Sequence, residues 1–297
     1  MPRLRTYPLA FALFATFMTA SCATQLDPSA LWDFSNPALS RQRFEVALAT
    51  SKDADEALVL RTQIARSHGL ERNFDRARAE LKALEPVLPN ASATARVRFS
   101  LELGRTHASA THTLQDSQDP QAARAAFQAA LALAKANQLD ALAIDAVHML
   151  AFVDTAPADQ LHWANAALAI SLASHQADAR RWEASIRHNL GYALQQLKRF
   201  DEALDAFRQS EAAFNQTARP QRALVARWMQ ANTLRLMGDA AQALAMQTEL
   251  ETKNAELGKP DVYVFDELAL LHTAMGNTEA SAQYRQKAQA LRAASAK

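Results

Sequence analysis

The chain has 297 residues, of which 49% are hydrophobic and 21% charged, proportions typical of a globular protein. Its 32 lysine and arginine residues nearly balance 31 aspartate and glutamate residues, which argues against a strongly basic nucleic-acid-binding surface and against an acidic solvating tail. Only six glycines and ten prolines occur, too few for the many tight turns of a β protein, and the single cysteine, Cys22, excludes an intrachain disulfide.

The amino terminus has the pattern of a secretory signal peptide. Arg3 and Arg5 precede a short apolar run over residues 9–18, which is too short to span a bilayer as a helix. Small residues then lead to Cys22. A charged start, a short apolar core and a small-residue exit predict that residues 1–21 are removed on export.

The segment Thr19-Ala20-Ser21-Cys22 resembles the lipobox of bacterial lipoproteins, in which the cysteine becomes the lipidated first residue of the mature chain. Thr19 departs from that pattern, because a leucine-like residue is usual there. The resemblance implies a lipid anchor at Cys22 on the periplasmic side of a membrane. The alternative is ordinary cleavage after Ala23, which would release a soluble periplasmic protein.

A repeat of about 40 residues organises the rest of the chain. Its clearest copy joins residues 189–194 (NLGYAL) to residues 200–207 (FDEALDAF). Every copy has one small residue on a first predicted helix and another on a second. The first-helix residues are Ala65, Gly104, Ala151, Gly191, Ala231 and Ala269. Their second-helix partners are Ala77, Ala123, Ala164, Ala203, Ala243 and Ser281.

This pattern resembles the tetratricopeptide repeat, in which a leucine-small pair on one helix is followed by an aromatic-acidic-acidic-alanine start to the next. The repeat's usual tryptophan and closing proline are missing. The resemblance covers about residues 55–295 and implies an all-α, right-handed solenoid of about six helical hairpins. Residues 39–297 are therefore expected to form one solenoid, with residues 22–38 as a tether. A helix at about residues 40–50 should cover its front end.

The second copy of the repeat is longer than the others. Its two small residues, Gly104 and Ala123, are 19 apart, against 12 or 13 in the other copies. The additional residues fall in Ser109–Asp119. They predict either a longer first helix or a protruding loop.

No catalytic motif is visible. The sequence contains no His-Glu-x-x-His, cysteine pair, glycine-rich phosphate loop or Gly-x-Ser-x-Gly elbow. His68, His107 and His272 each follow a first-helix small residue by three positions, where the repeat usually has a tyrosine packed between helices. We therefore expect no enzymatic activity, no cofactor and no metal.

In tetratricopeptide proteins the first helices line a concave groove, and the resemblance implies a binding surface there. The expected contributors are His148, Phe152, His188, Tyr192, Trp228, Asn232, Arg235, Tyr263 and Asp266. Trp228 is the expected anchor of a bound partner. Some members of this set could instead pack between neighbouring first helices. At the other end of the groove, arginines favour acidic ligands: Arg66, Arg98 and Arg105.

These features together predict a protein–protein interaction scaffold of the bacterial cell envelope. It would bind a partner protein or peptide in the groove, contact the membrane only through its lipid anchor and bind no nucleic acid. The lysine/asparagine clamp of chaperone-binding relatives is not matched, because the groove lacks those lysines. The alternative is a soluble periplasmic binding protein for a peptide or small ligand, and an enzyme is the least favoured reading.

Overall fold

The computed structural model describes residues 27–113 and 116–295, so the predicted signal peptide and Cys22 lie outside the described residues. The described ranges contain fourteen α-helices and no strand. None of these helices is long and apolar enough to cross a membrane. The helices are α1 (Pro37–Thr50), α2 (Ala54–Leu70), α3 (Phe74–Lys82), α4 (Ala93–His107), α5 (Pro120–Ala136), α6 (Asp140–Val153), α7 (Pro157–Ala173), α8 (Ala177–Arg180), α9 (Glu183–Gln196), α10 (Phe200–Gln216), α11 (Pro220–Met237), α12 (Ala240–Glu256), α13 (Val262–Ala274) and α14 (Thr278–Ser295).

Twelve of these helices form six antiparallel hairpins that pack against one another in chain order. The hairpins are α2–α3, α4–α5, α6–α7, α9–α10, α11–α12 and α13–α14. Helix α1 covers the front of the first hairpin, and α8 is a single turn before α9. The predicted all-α, right-handed solenoid of tetratricopeptide-like hairpins is therefore confirmed.

The predicted small residues lie where the two helices of each hairpin meet. Eleven of the twelve are buried, and the exception is Ala151, which is half-buried because α6 ends two residues later at Val153. A Cβ atom on Gly104 would lie 2.4 Å from Cε1 of Phe127, and one on Gly191 would lie 2.7 Å from Cε1 of Phe207. Both phenylalanine rings are fully buried. Each glycine therefore makes room for a ring from the second helix.

The fifth hairpin fills the same position differently. Gln247 follows Ala243 by four residues, as Phe127 and Phe207 follow their own small residues. Its side chain is fully buried, and neither its amide oxygen nor its amide nitrogen has a hydrogen-bond partner. An unpaired buried amide costs free energy. The buried side chain therefore stabilises this hairpin less than a phenylalanine stabilises the second and fourth hairpins.

The additional residues of the second repeat form a loop and not a longer first helix, because α4 ends at His107. The ring of His112 stacks on Phe74 with centroids 3.9 Å apart. The guanidinium of Arg72 donates to both carboxylate oxygens of Asp116 at 3.0 and 3.2 Å. The described part of this loop thus packs against the turn of the first hairpin.

The segment just before α1 also packs on the first hairpin. The indole of Trp32 donates to Oε1 of Gln63 at 3.0 Å, and its ring stacks on Phe34 at 4.8 Å. The guanidinium of Arg66 lies 5.5 Å from both ring centroids. These residues form the front wall beside Arg66, in a segment that the sequence analysis assigned to the tether.

We predict that Gly191→Ala lowers the free energy of unfolding by roughly 1–3 kcal/mol, because the new methyl group would overlap the buried ring of Phe207. Gly69→Ala is the matched control: no atom lies within 4 Å of its added Cβ, and alanine favours the helix. Urea unfolding monitored by circular dichroism measures both. Equal effects of the two substitutions would show that the ring contact does not set the hairpin spacing.

Candidate binding groove

One row of side chains follows the first helices from end to end. It consists of the residue directly after each first-helix small residue: Arg66, Arg105, Phe152, Tyr192, Asn232 and Leu270. Phe152, Tyr192 and Leu270 are 44, 46 and 48% exposed, unusually open for large apolar side chains. This first-helix row begins with two cations, continues with two aromatic rings and ends with an amide and a leucine.

A cavity of about 260 Å³ lies at the cationic end of the row, between α2, α4 and α6. We call it the arginine cavity. Its charged lining comprises Arg66, Glu102, Arg105 and Asp145, and Phe152 and Trp182 contribute aromatic walls. Arg105 donates to Oε1 of Glu102 at 2.6 Å and to Oδ1 of Asp145 at 2.5 Å. Nη1 of Arg66 lies 3.8 Å from Glu102, too far for a hydrogen bond.

The charges around this cavity are balanced in number but not fully paired. Arg66, Arg98 and Arg105 stand against the carboxylates of Glu102, Asp145 and Asp27, yet Nε of Arg66 and Nε of Arg98 are buried without hydrogen-bond partners. Burial, together with repulsion from Arg105, lowers the pKa of Arg66. Burial likewise lowers the pKa of Arg98. The site therefore holds a desolvated cation that an added anion would stabilise.

Both carboxylates of the cavity pair with Arg105, and Oε2 of Glu102 is buried without a hydrogen-bond partner. Burial opposes ionisation of Asp145, but the charges of Arg105 and Arg66 outweigh it and hold the pKa of this carboxyl below its usual range. Burial lowers the pKa of His148, against the opposing charge of Asp145, and repulsion from Arg105 adds to the decrease. Burial therefore disfavours the protonated imidazole.

A second cavity of about 180 Å³ continues the groove between α6 and α9. We call it the aromatic cavity. Its lining is His148, Ala151, Phe152, Gln160, Asn189 and Tyr192. The ring of His148 lies edge-on to Phe152 with centroids 5.1 Å apart. Because His148 and Phe152 also line the arginine cavity, the two cavities form one continuous surface over α2, α4, α6 and α9.

The structure brings together only part of the predicted groove set. His148, Phe152 and Tyr192 share the aromatic cavity. His188 instead turns toward its own hairpin, where its ring lies 5.5 Å from Phe207 and its Nδ1 atom is buried without a partner. It lines neither groove cavity.

Asn232 and Arg235 join neighbouring repeats through hydrogen bonds. Oδ1 of Asn232 accepts from Nε2 of Gln195 at 3.0 Å, and its Nδ2 donates to Glu267 at 2.9 Å. Arg235 donates to both carboxylate oxygens of Glu267, at 2.7 and 3.1 Å. These two side chains are satisfied within the solenoid, so their main contribution is to inter-repeat packing.

Trp228, Tyr263 and Asp266 lie near a separate cleft between the fifth and sixth hairpins. The indole of Trp228 packs against two apolar clusters, one that includes Phe207 of the fourth hairpin and one that includes Val264 of the sixth. Tyr263 is 64% exposed and meets Trp228 edge-to-face at 6.3 Å. Asp266 forms an ion pair with Arg292 at 2.5 Å.

Leu270 and Trp182 are among the residues that the sequence pattern did not identify. Leu270 directly follows Ala269, so the repeat spacing that gives Phe152 and Tyr192 could have identified it. Trp182 stands in the connection before α9, outside the repeat pattern, and it reaches the arginine cavity only through the packing of α8 and α9. Nothing in the spacing indicates that position.

Metal-ligand geometry is not present in the described ranges: no group of three or more His, Cys, Asp or Glu side chains is arranged to hold an ion there. The carboxylates of the arginine cavity are instead ion-paired with Arg105.

We predict that Trp228→Ala lowers the free energy of unfolding by about 3 kcal/mol, because it removes a large ring from two apolar clusters. Tyr192→Ala, at a 46% exposed position in the groove, should change it by less than about 1 kcal/mol. Thermal and urea unfolding measure both variants. An unchanged free energy of unfolding in the Trp228→Ala variant would show that packing does not need this ring. Trp228 would then again be the expected anchor for a bound partner.

Comparison with known proteins agrees with this geometry. A family model described as tetratricopeptide repeat matches residues 184–213, which lie in α9 and α10. A search of curated proteins finds no match. Among solved structures, one similar fold is a signal transduction ATPase with numerous domains and a tetratricopeptide repeat sensor, from Pyrococcus horikoshii. It has a TM-score of 0.65 at 12% identity, over 85% of this chain and 38% of that chain.

A second similar fold is NprR in complex with its cognate peptide NprX. Its TM-score is 0.55 at 14% identity, over 88% of this chain and 74% of that chain. The chain spans well under half the length of the ATPase, and at these identities both likenesses concern the fold alone. Repeat spacing, hairpin packing and structural likeness agree that the described residues form a solenoid of six tetratricopeptide-like helical hairpins, and the family model matches the fourth of these hairpins.

Proposed function

We propose that this protein is an interaction scaffold that binds an extended polypeptide segment along the groove from Arg66 to Tyr192. The observation that carries the proposal is the continuity of the arginine and aromatic cavities through His148 and Phe152. One end offers buried arginine N–H groups that lack hydrogen-bond partners, and the other offers exposed aromatic rings. A surface of this kind suits a ligand with an acidic group at one end and an apolar group at the other.

The spacing of the helices sets the spacing of the ligand groups. Neighbouring packed helices lie about 8–10 Å apart, whereas an extended chain rises about 3.3 Å per residue. One repeat therefore corresponds to roughly three ligand residues. Two repeats separate the Arg66–Arg105 pair from the Phe152–Tyr192 pair. An acidic residue and an apolar residue roughly five or six positions apart would fit both ends of the groove.

The similar fold of NprR supports this proposal, since that protein is solved in complex with a cognate peptide. The cavity chemistry points the same way. Glu102 and Asp145 are committed to Arg105, which suits recognition of charge better than proton transfer. We therefore propose a binding role without catalysis.

We further propose that the scaffold works in the bacterial cell envelope, anchored through lipid on Cys22 and holding an envelope protein or peptide. The support is the signal-peptide pattern and the lipobox-like segment ending at Cys22. A soluble periplasmic protein that binds a peptide or small ligand is the alternative, and cleavage after Ala23 would favour it.

We predict that the double substitution Phe152→Ser and Tyr192→Ser weakens peptide binding by roughly 30-fold or more, because it removes both exposed rings from the groove. Leu172→Ser is the matched control, an apolar side chain that is 57% exposed on the second helix α7. Peptides selected from a random display library against the native protein supply the ligand, and fluorescence anisotropy gives the affinities. Selected sequences should pair an acidic and an apolar residue.

Equal affinities of the double variant and the Leu172→Ser control would contradict the groove assignment. In that case a selection repeated against the double variant would return the same peptides and show that they bind elsewhere.

The anchoring proposal predicts that Cys22→Ala moves the protein from the membrane fraction to the soluble periplasmic fraction, because stable anchoring needs attached acyl chains. Fractionation followed by immunoblotting measures the distribution. Mass spectrometry of the native protein provides the direct control. An unmodified mature chain that starts at Thr24 would contradict the anchor and support the soluble alternative.

A further inference from the structure

A cleft between the fifth and sixth hairpins has a volume of about 550 Å³. Its walls come from α11, α12, α13 and α14. Aliphatic and aromatic side chains dominate them: Leu224, Val225, Trp228, Leu250, Leu257 and Val264. It shares no residue with the arginine and aromatic cavities. Its volume falls within the usual range of small-molecule sites, about 300–1,000 Å³.

The apolar walls are open to solvent. Val225 is 47% exposed and Leu257 is 52% exposed, while Leu250 and Val264 form a buried floor. A ligand with an aliphatic body would remove the exposed side chains from water. The walls of the cleft therefore favour a ligand that carries a hydrocarbon chain.

One end of the cleft is polar, and its polar side chains lack partners in the described residues. Asn254 lines the cleft and is only 8% exposed, yet its side-chain amide has no hydrogen bond to any described residue. The amide atoms are not sealed from solvent, so a ligand acceptor in the cleft could bind to them. The main-chain N–H of Lys259 donates to the carbonyl oxygen of Asn254 at 2.8 Å, so both side chains start from the same end of the cleft.

Lys259 supplies the charge of that end. Two other charged residues line the cleft, and both are compensated: Arg292 pairs with Asp266, and Asp261 accepts from the N–H of Tyr263 at the positive amino terminus of α13. The ammonium of Lys259 pairs with no carboxylate in the described part of the chain. A ligand carboxylate could accept from both Lys259 and the Asn254 amide.

We propose that this cleft binds an aliphatic carboxylate, namely a free medium-chain fatty acid. Its carboxylate accepts hydrogen bonds from Lys259 and Asn254, and its hydrocarbon chain lies along Leu224, Val225 and Leu257. A polypeptide segment suits the site less well, because Asn254 is the only buried polar side chain among the lining residues and could satisfy few main-chain groups.

Isothermal titration calorimetry with decanoate, below its micelle concentration, tests the proposal on the purified mature protein. We expect saturable binding of one decanoate per chain. Asn254→Leu and Lys259→Gln should each weaken it about tenfold, the effect of one lost charge-assisted hydrogen bond. Lys135→Gln, an exposed lysine on α5 remote from the cleft, is the matched control and should bind normally.

Thermal unfolding separates lost binding from lost structure. Asn254→Leu removes an amide that makes no hydrogen bond with a described residue, so its melting temperature without ligand should stay close to that of the native protein. Weaker decanoate binding in this variant then reports the missing hydrogen bond and not unfolding.

Two further ligands test the chemistry of the head group and the class of ligand. The alcohol 1-decanol should bind at least tenfold more weakly than decanoate, because it cannot form the ion pair with Lys259. Equal binding of the two would overturn the carboxylate assignment. Tighter binding of a short peptide ending in leucine would make the occupant a polypeptide terminus. Absence of saturable decanoate binding, or binding unchanged in both variants, would overturn the site itself.

Discussion

The close approach of the two helices in each hairpin is the constraint on which the rest of the structure depends. At Gly104 and Gly191 the helix backbone gives space to a phenylalanine ring from the partner helix, with no room for even one methyl group. This contact fixes how the first helix is rotated in the second and fourth hairpins. Rotation in turn decides which side chains face the neighbouring repeat and which face solvent.

The binding surface is a direct consequence of that rotation. The small residue of each first helix faces the second helix of its hairpin. The next residue is therefore turned away from that contact, and six such residues form the row from Arg66 to Leu270. Close packing also limits the water around the first members of the row. Arg66 and Arg98 consequently keep buried, unpaired nitrogen atoms, and their charge acts at a higher effective strength than on an open surface. The close approach of the helices thus determines both the packing and the electrostatics of the groove.

The carboxyl-terminal third departs from the pattern of the other hairpins. The fifth hairpin places Gln247 where Phe127 and Phe207 stand in the second and fourth hairpins, and a wide cleft separates it from the sixth. In the lining of that cleft, Nε1 of Trp228 is buried without a hydrogen-bond partner. Proteins most often retain such destabilising features, here buried polar groups without partners, where they serve a function. Their position fits a ligand site at the cleft.

The sequence alone determined the repeat, the hairpins and much of the row, because periodic small residues specify which helix faces meet. It also carries the whole argument for export, since Cys22 lies outside the described residues. Only the tertiary structure decided the surroundings of equivalent positions. His148, His188 and Trp228 share one repeat position, yet they line a groove, a hairpin core and a cleft respectively. Spacing along one helix cannot predict this, because the early end of α6 and the packing of Trp182 against His148 arise from neighbouring elements.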